Sequence, residues 1–129
     1  MKYLFLLLLL INCRPSTTFG QNATTNVTKE NSVEIIKKVK KEKASLIDVR
    51  TQEEYESGHL KYSRNIDYQK KDFSSVISGL PKDRPVYLYC RSGNRSGKAL
   101  DTMRALGFKQ VYNVGGFEGL KSVGFPPND

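Results

Sequence analysis

Cys90 opens the segment Cys90-Arg91-Ser92-Gly93-Asn94-Arg95-Ser96, which follows the apolar run Val86-Tyr87-Leu88-Tyr89 and precedes an amphipathic helical pattern. A thiol at the end of a buried strand, facing a short polar loop and a helix N-terminus, lies where backbone N–H groups converge on an anion. Such surroundings lower a thiol's pKa and hold whatever the sulfur carries. The expected cradle is the backbone of Arg91, Ser92, Gly93, Asn94, Arg95 and Ser96. Gly93 permits conformations that a side chain opposes, and Ser96 is expected to N-cap the helix. Arg91 stands either as an ordinary surface arginine or as the group that meets an anionic donor. Arg95 is expected to close the loop by hydrogen bonding inward, with contact to the donor as the alternative. Free cysteines are often plain buried hydrophobes, but the polar, arginine-flanked loop behind Cys90 argues for a reactive one.

The elements that must position this loop alternate between helix and strand patterns. Asn31 and Glu34 suit a capping box, opening a helix with Val33, Ile35, Ile36 and Val39 on its apolar face. Ser45 to Val49 is a short buried strand. Thr51 and Glu54 form a second capping box, for a short helix that Gly58 ends. Asn65-Ile66-Asp67 reads as a brief strand, and Phe73, Val76, Ile77 and Leu80 have helical spacing stopped by Gly79 and Pro81. Pro85 to Tyr89 is a strand. Ala99, Leu100, Met103 and Leu106 form the inner stripe of a helix that Gly107 terminates. Gln110 to Val114 is a further strand, and Gly115-Gly116 breaks the chain before a last helix around Glu118 to Ser122. This order predicts a small α/β fold, a parallel sheet with helices on both faces. Sites in open sheets of this kind lie beyond the carboxyl ends of the strands, where Cys90 falls.

Lys2 precedes an unbroken apolar run, Leu4 to Ile11. That run is shorter than the ~20 residues needed to span a bilayer and suits the core of an export signal. Two endings are open. Leu10-Ile11-Asn12-Cys13 resembles a lipoprotein box, with Cys13 lipidated and holding the domain to a membrane; Thr18-Phe19-Gly20 suits simple cleavage before Gln21. The expected organisation is therefore an export signal over residues 1–20, a flexible Ser/Thr/Asn-rich tether over 21–30 and one domain over 31–129. The expected location is periplasmic or membrane-anchored. Either ending leaves Cys90 as the one free thiol of the mature chain, so no disulfide framework is available. The triplets Asn22-Ala23-Thr24 and Asn26-Val27-Thr28 match glycosylation acceptors but arise easily in such a tract. The formal charge is +8, much of it on Lys37, Lys38, Lys40, Lys41 and Lys43. These lysines share one helix without interleaved aromatics, which argues against nucleic acid and for a solvated face that draws small anions. No cluster with metal-ligand spacing is present.

Asp48-Val49-Arg50, Glu54-Tyr55-Glu56-Ser57-Gly58-His59-Leu60 and Asn65-Ile66 together resemble the N-terminal signature of the rhodanese domain. Cys90 to Ser96 is similar to that family's active-site loop, and Val111-Tyr112-Asn113-Val114-Gly115-Gly116-Phe117 resembles its closing signature. The match runs in order over residues 31–126. Two departures stand out: Tyr62 where the family usually has glycine, and Leu120 where a tryptophan is common. The resemblance implies sulfur transfer through a Cys90 persulfide, without a cofactor. Sulfur would pass from a small anionic donor such as thiosulfate to a thiol or cyanide acceptor. Asp48, Arg50 and Glu54 are expected as scaffold, with Arg50 paired to Glu54 and Asp48 orienting the loop. His59 invites a general-base role, but the resemblance implies a structural one.

Two other functions fit parts of this pattern. Phosphatases and arsenate reductases with a cysteine loop closed by arginine form one class; the related dual-specificity phosphatases place one more residue between the two. Cys90 and Arg95 enclose four residues, a smaller cradle suited to a single sulfur. A non-catalytic rhodanese-like binding module is the other class, but loss of activity usually removes the cysteine, which this chain retains.

Overall fold

The computed structural model describes residues 24–128. The export signal, the Cys13 lipidation site and residues 21–23 of the tether lie outside the described residues. The elements in chain order are α1 (Lys29–Lys40), β1 (Ser45–Asp48), α2 (Gln52–Glu56), β2 (His59–Leu60), β3 (Arg64–Asn65) and α3 (Phe73–Ser78). They continue as β4 (Val86–Cys90), α4 (Asn94–Ala105), β5 (Val111–Gly116), α5 (Phe117–Ser122) and β6 (Pro127–Asn128).

Every residue of β4 is buried, as expected of a central strand covered on both faces. Its side chains alternate between two apolar layers. Val86, Leu88 and Cys90 join Phe73, Ile77, Leu100 and Met103 under α3 and α4. Tyr87 and Tyr89 join Ile35, Val39, Leu120 and Phe125 under α1 and α5. The sheet is wholly parallel, in the order β3-β1-β4-β5, with Asp48 opposite Tyr89 and Cys90 opposite Gly116. A small antiparallel pair, β2 and β6, joins Leu60 to Pro127. From β1 the chain passes to one side of the sheet and from β4 to the other, so the crevice beyond the carboxyl ends of these two strands is the switch point where ligands bind in such sheets.

Four local expectations are corrected. The cap of α1 is Thr28, whose Oγ1 accepts from the Asn31 N–H while Asn31 Oδ1 accepts from the Thr28 N–H at 2.8 Å. Asn31 is thus the third residue of the helix, because a β-branched threonine suits the extended cap conformation and asparagine can reach back to it. On α1, Ser32, Ile35 and Val39 face inward and Val33 stays 67% exposed. Part of the tether is docked: the Thr25 N–H donates to the Asn113 carbonyl at 2.7 Å, and Val27 packs against the α1–α5 layer. β5 is an edge strand, and its free backbone groups recruit this segment. At the end of α4, Leu106 turns outward as the C-cap while Phe108 is buried in its stead. Gly107, at φ +94°, reverses the chain there, and the Phe108 N–H bonds back to the Met103 carbonyl.

The departure at position 62 has a visible consequence. Tyr62 lies in the turn between β2 and β3 at φ +70°, a left-handed conformation that glycine adopts freely and a side chain resists. Its ring is 42% exposed, so little packing offsets the strain. Leu120, by contrast, is buried and fills the α1–α5 layer. Replacement Tyr62→Gly is expected to raise stability by about 1 kcal/mol, the cost of a left-handed side-chain-bearing residue. A thermal melt showing an unchanged or lower midpoint would count against strain at this turn.

Candidate active site

Strand alternation sends the Cys90 side chain beneath the N-terminus of α4, where the residue is 1% exposed. The chain then turns sharply. Gly93, at φ +90°, is the N-cap of α4 and brings its own N–H to 3.0 Å from Cys90 Sγ. A glycine cap has no side-chain acceptor to occupy the first-turn N–H groups, which leaves them for the sulfur. Ser96, expected as the cap, is instead the third residue of α4 and fully buried, with Oγ 3.4 Å from Sγ. The helix starts three residues early because the left-handed turn at Gly93 already aligns the backbone. Burial pushes the Cys90 thiol up, but hydrogen bonds from the Ser96 hydroxyl and the N–H groups of Ser96, Ser92 and Gly93 more than offset it. The net result is a pKa below that of an ordinary cysteine.

The loop rests on β5. Gly116 lies opposite Cys90, and a Cβ there would drive into the Arg91 carbonyl. The close approach of two backbones thus requires glycine. Asn113 lies beneath the loop with its side chain buried. Its Oδ1 accepts from Ser96 Oγ at 2.7 Å and from the Gly115 N–H at 3.1 Å, and its Nδ2 donates to the Gly93 carbonyl at 2.9 Å. Residue type alone does not mark Asn113 or Gly116 as part of the site. The available signal was an amide at an inward-facing position of an otherwise apolar strand, since Val111 and Asn113 share a face.

The charged residues pair differently from the expectation. Arg95 does not close the loop; its guanidinium reaches across to Glu54 in a two-pronged contact at 2.6 and 2.9 Å, tying the start of α4 to α2. Glu54 therefore does not meet Arg50. Arg50 folds back onto Asp48, with Nη2 2.7 Å from Oδ2, and donates to the Gly58 carbonyl at 2.6 Å while lying 4.5 Å over the Phe117 ring. Asp48 is wholly buried, and the Arg50 guanidinium two residues on is its partner. Its carboxylate is taken up by Arg50, so it supports the strand end rather than orienting the loop. Asn65 completes this support by donating to the Asp48 and Arg50 carbonyls.

Arg91, Ser92 and Asn94 are exposed. Arg91 opens onto a cleft of about 490 Å³, shared with Arg50, Glu53, Phe117 and Glu118. His59 is engaged away from the sulfur: Nδ1 meets the Tyr55 carbonyl at 2.8 Å, Nε2 meets the Asn128 amide at 3.1 Å, and the ring stacks on Tyr55. It joins α2 to the β2–β6 pair.

Known proteins are similar to this chain in sequence and fold. Residues 32–122 match the family model described as the rhodanese-like domain. The uncharacterized protein YqhL of Bacillus subtilis is 46% identical over 78 residues, covering 59% of this chain and 60% of that protein. The chain thus spans less than two thirds of that relative's length. The thiosulfate sulfurtransferase GlpE of Pseudomonas aeruginosa is 33% identical over 91 residues, covering 70% of this chain and 81% of GlpE. A solved structure described as rhodanese with anions from E. coli superposes with a TM-score of 0.54 at 28% identity, covering 67% of this chain and 98% of that one.

The Glu54–Arg95 pair gives a pH signature. Hydrogen bonding from Arg95 holds Glu54 down to about 2, against an ordinary value of 4.5. A depressed folded-state pKa contributes stability that is fully present above about 4.5 and is lost as pH falls through about 2. Glu54→Gln is expected to lower stability at pH 7 by about 1 kcal/mol, the scale of a partly exposed charged hydrogen bond. Urea midpoints taken from pH 5 to pH 2 should then fall less steeply for the variant. Parallel curves would show that the pair contributes nothing.

Proposed function

The chain belongs to the rhodanese-like domain family, and from that premise we propose that it is a sulfurtransferase working through a Cys90 persulfide. The observation that carries this reading is the position of Cys90 Sγ, 3.0 Å from the Gly93 N–H and beneath the first turn of α4. The Cys90 thiolate attacks the outer sulfur of thiosulfate. A new S–S bond forms, the bond inside thiosulfate breaks, and its electron pair leaves with sulfite. The persulfide that remains is an anion, and the N–H groups of the loop and the N-terminal end of the α4 dipole are placed to stabilise it. An acceptor thiolate then attacks the outer sulfur and departs as its own persulfide, returning Cys90 as thiolate; cyanide leaves as thiocyanate in the same way. Atoms and charge balance in both steps, and no cofactor takes part.

Arg91, exposed and next to Cys90 in the chain, is the cation that would meet the anionic donor. The turn from Cys90 to the Gly93 cap is short and brings one N–H to 3.0 Å from the sulfur, which supports a site for a single sulfur. The related protein named thiosulfate sulfurtransferase supports the donor class. The apolar run Leu4–Ile11 supports an exported protein, released or held to a membrane through Cys13.

Incubation with thiosulfate and cyanide is expected to yield thiocyanate, and Cys90→Ser to reduce the rate at least a thousandfold. Neither protein should hydrolyse an aryl phosphate. Turnover of the phosphate ester without thiocyanate formation would replace sulfur transfer with phosphatase chemistry, and inactivity toward both would favour a binding module.

A further inference from the structure

The hydrogen-bond pattern behind Cys90 has one proton fewer than it has acceptors. Ser96 Oγ lies 2.7 Å from Asn113 Oδ1 and 3.4 Å from Cys90 Sγ, and a hydroxyl carries a single proton. The orientation of the Asn113 amide is set by its neighbours. Oδ1 faces the Gly115 N–H and Nδ2 faces the Gly93 carbonyl, and the reversed amide would oppose donor to donor and acceptor to acceptor. Nδ2 also lies 3.4 Å from Thr24 Oγ1. Oδ1 can therefore only accept, and the short contact places the Ser96 proton on it. Ser96 then turns a lone pair toward the sulfur. A neutral thiol donates to that lone pair, giving the chain Cys90 S–H to Ser96 O–H to Asn113 carbonyl. A thiolate cannot use it. When Cys90 ionises, its proton leaves to solvent and the Ser96 hydroxyl must swing from Asn113 to the sulfur, leaving Oδ1 with the Gly115 N–H.

We propose that Asn113 is a positioning residue that sets how readily Cys90 becomes an anionic sulfur, by competing for the Ser96 proton. This rests on Cys90 being the nucleophile. The charges around Cys90 lie on other elements: Arg95 on α4, with its partner Glu54 on α2, is coupled to the sulfur, the Asp48–Arg50 pair packs at the end of β1 against Tyr89 and Phe117, and Arg91 is exposed in the loop. The β5 residues from Val111 to Gly116 present no charge. Substitutions at position 113 therefore leave every one of these charges in place.

The test is the pH dependence of Cys90 alkylation by iodoacetamide in the full chain, resolved from Cys13 by peptide mass spectrometry. Asn113→Asp retains the acceptor and strengthens it with charge, and is expected to move the Cys90 alkylation profile to higher pH by about one unit, a tenfold slowing wherever the thiol is mostly protonated. Asn113→Val removes the competitor and frees the Ser96 proton for the sulfur, and is expected to shift the profile in the opposite direction, to lower pH. In an Asn113→Val, Ser96→Ala double variant that gain disappears. A residue that merely propped up the loop would shift both single variants the same way, toward an ordinary cysteine. Shifts of one sign, no shift, or a gain that survives Ser96→Ala each overturn the proposal. If Asn113→Val does not fold, Asn113→Asp measured with and without Ser96→Ala decides the matter, because the slowing must shrink once the shared proton is gone. Treating the wild-type chain with thiosulfate separates the two readings: absence of added sulfur on Cys90 with the expected alkylation shifts sinks the sulfur-transfer reading alone.

Discussion

Holding an anionic sulfur out of water is costly unless hydrogen bonds replace the lost hydration. Much of this fold meets that constraint at Cys90. The sulfur lies at the end of a strand buried along its whole length, and it turns under a helix whose first N–H groups have no side-chain cap. Gly93 takes a left-handed turn to bring its N–H to the sulfur, and Gly116 gives up a side chain so that β5 can pass beneath the loop. The parallel sheet itself follows from the same need, because it ends two central strands side by side and leaves a crevice between their carboxyl ends.

The charges around the crevice hold the framework rather than the sulfur. Asp48 and Arg50 form a buried pair that locks the end of β1 to the Gly58 carbonyl and the Phe117 ring. Breaking such a pair by removing one partner costs about 3–5 kcal/mol, because the other charge is left buried alone. Arg95 and Glu54 tie α4 to α2 across the crevice. Arg91 is exposed, with no ion-pair partner among the described residues. The division of labour among the three arginines thus follows from burial: the deepest is paired most fully, and the exposed one remains available.

Much of this was legible in the residues, for physical reasons that differ by element. The strand Val86–Cys90 announces itself by β-branched and aromatic residues between proline and a polar loop, and the α2 capping box by Thr51 and Glu54. What could not be read was the partner of each charged or polar side chain. Arg50 lies four residues before Glu54 and two after Asp48, and spacing alone favours the helical pairing. The choice of Asp48 comes from its complete burial, a property of the assembled sheet. Ser96 looked like a cap because serine caps helices, yet the turn at Gly93 had already begun the helix. Asn113 is hidden for the same reason: its side-chain contacts join residues from position 24 to position 115, and no local pattern marks them.

The central claim is that the Cys90 cradle accepts and holds one sulfur. The direct measurement is a single turnover with thiosulfate and no acceptor, following sulfite release and the mass of the Cys90 peptide together. The expected result is one sulfite per chain and a gain of ~32 Da confined to that peptide, reversed when a thiol is added. Sulfite release without the mass gain, or a mass gain elsewhere in the chain, would contradict it.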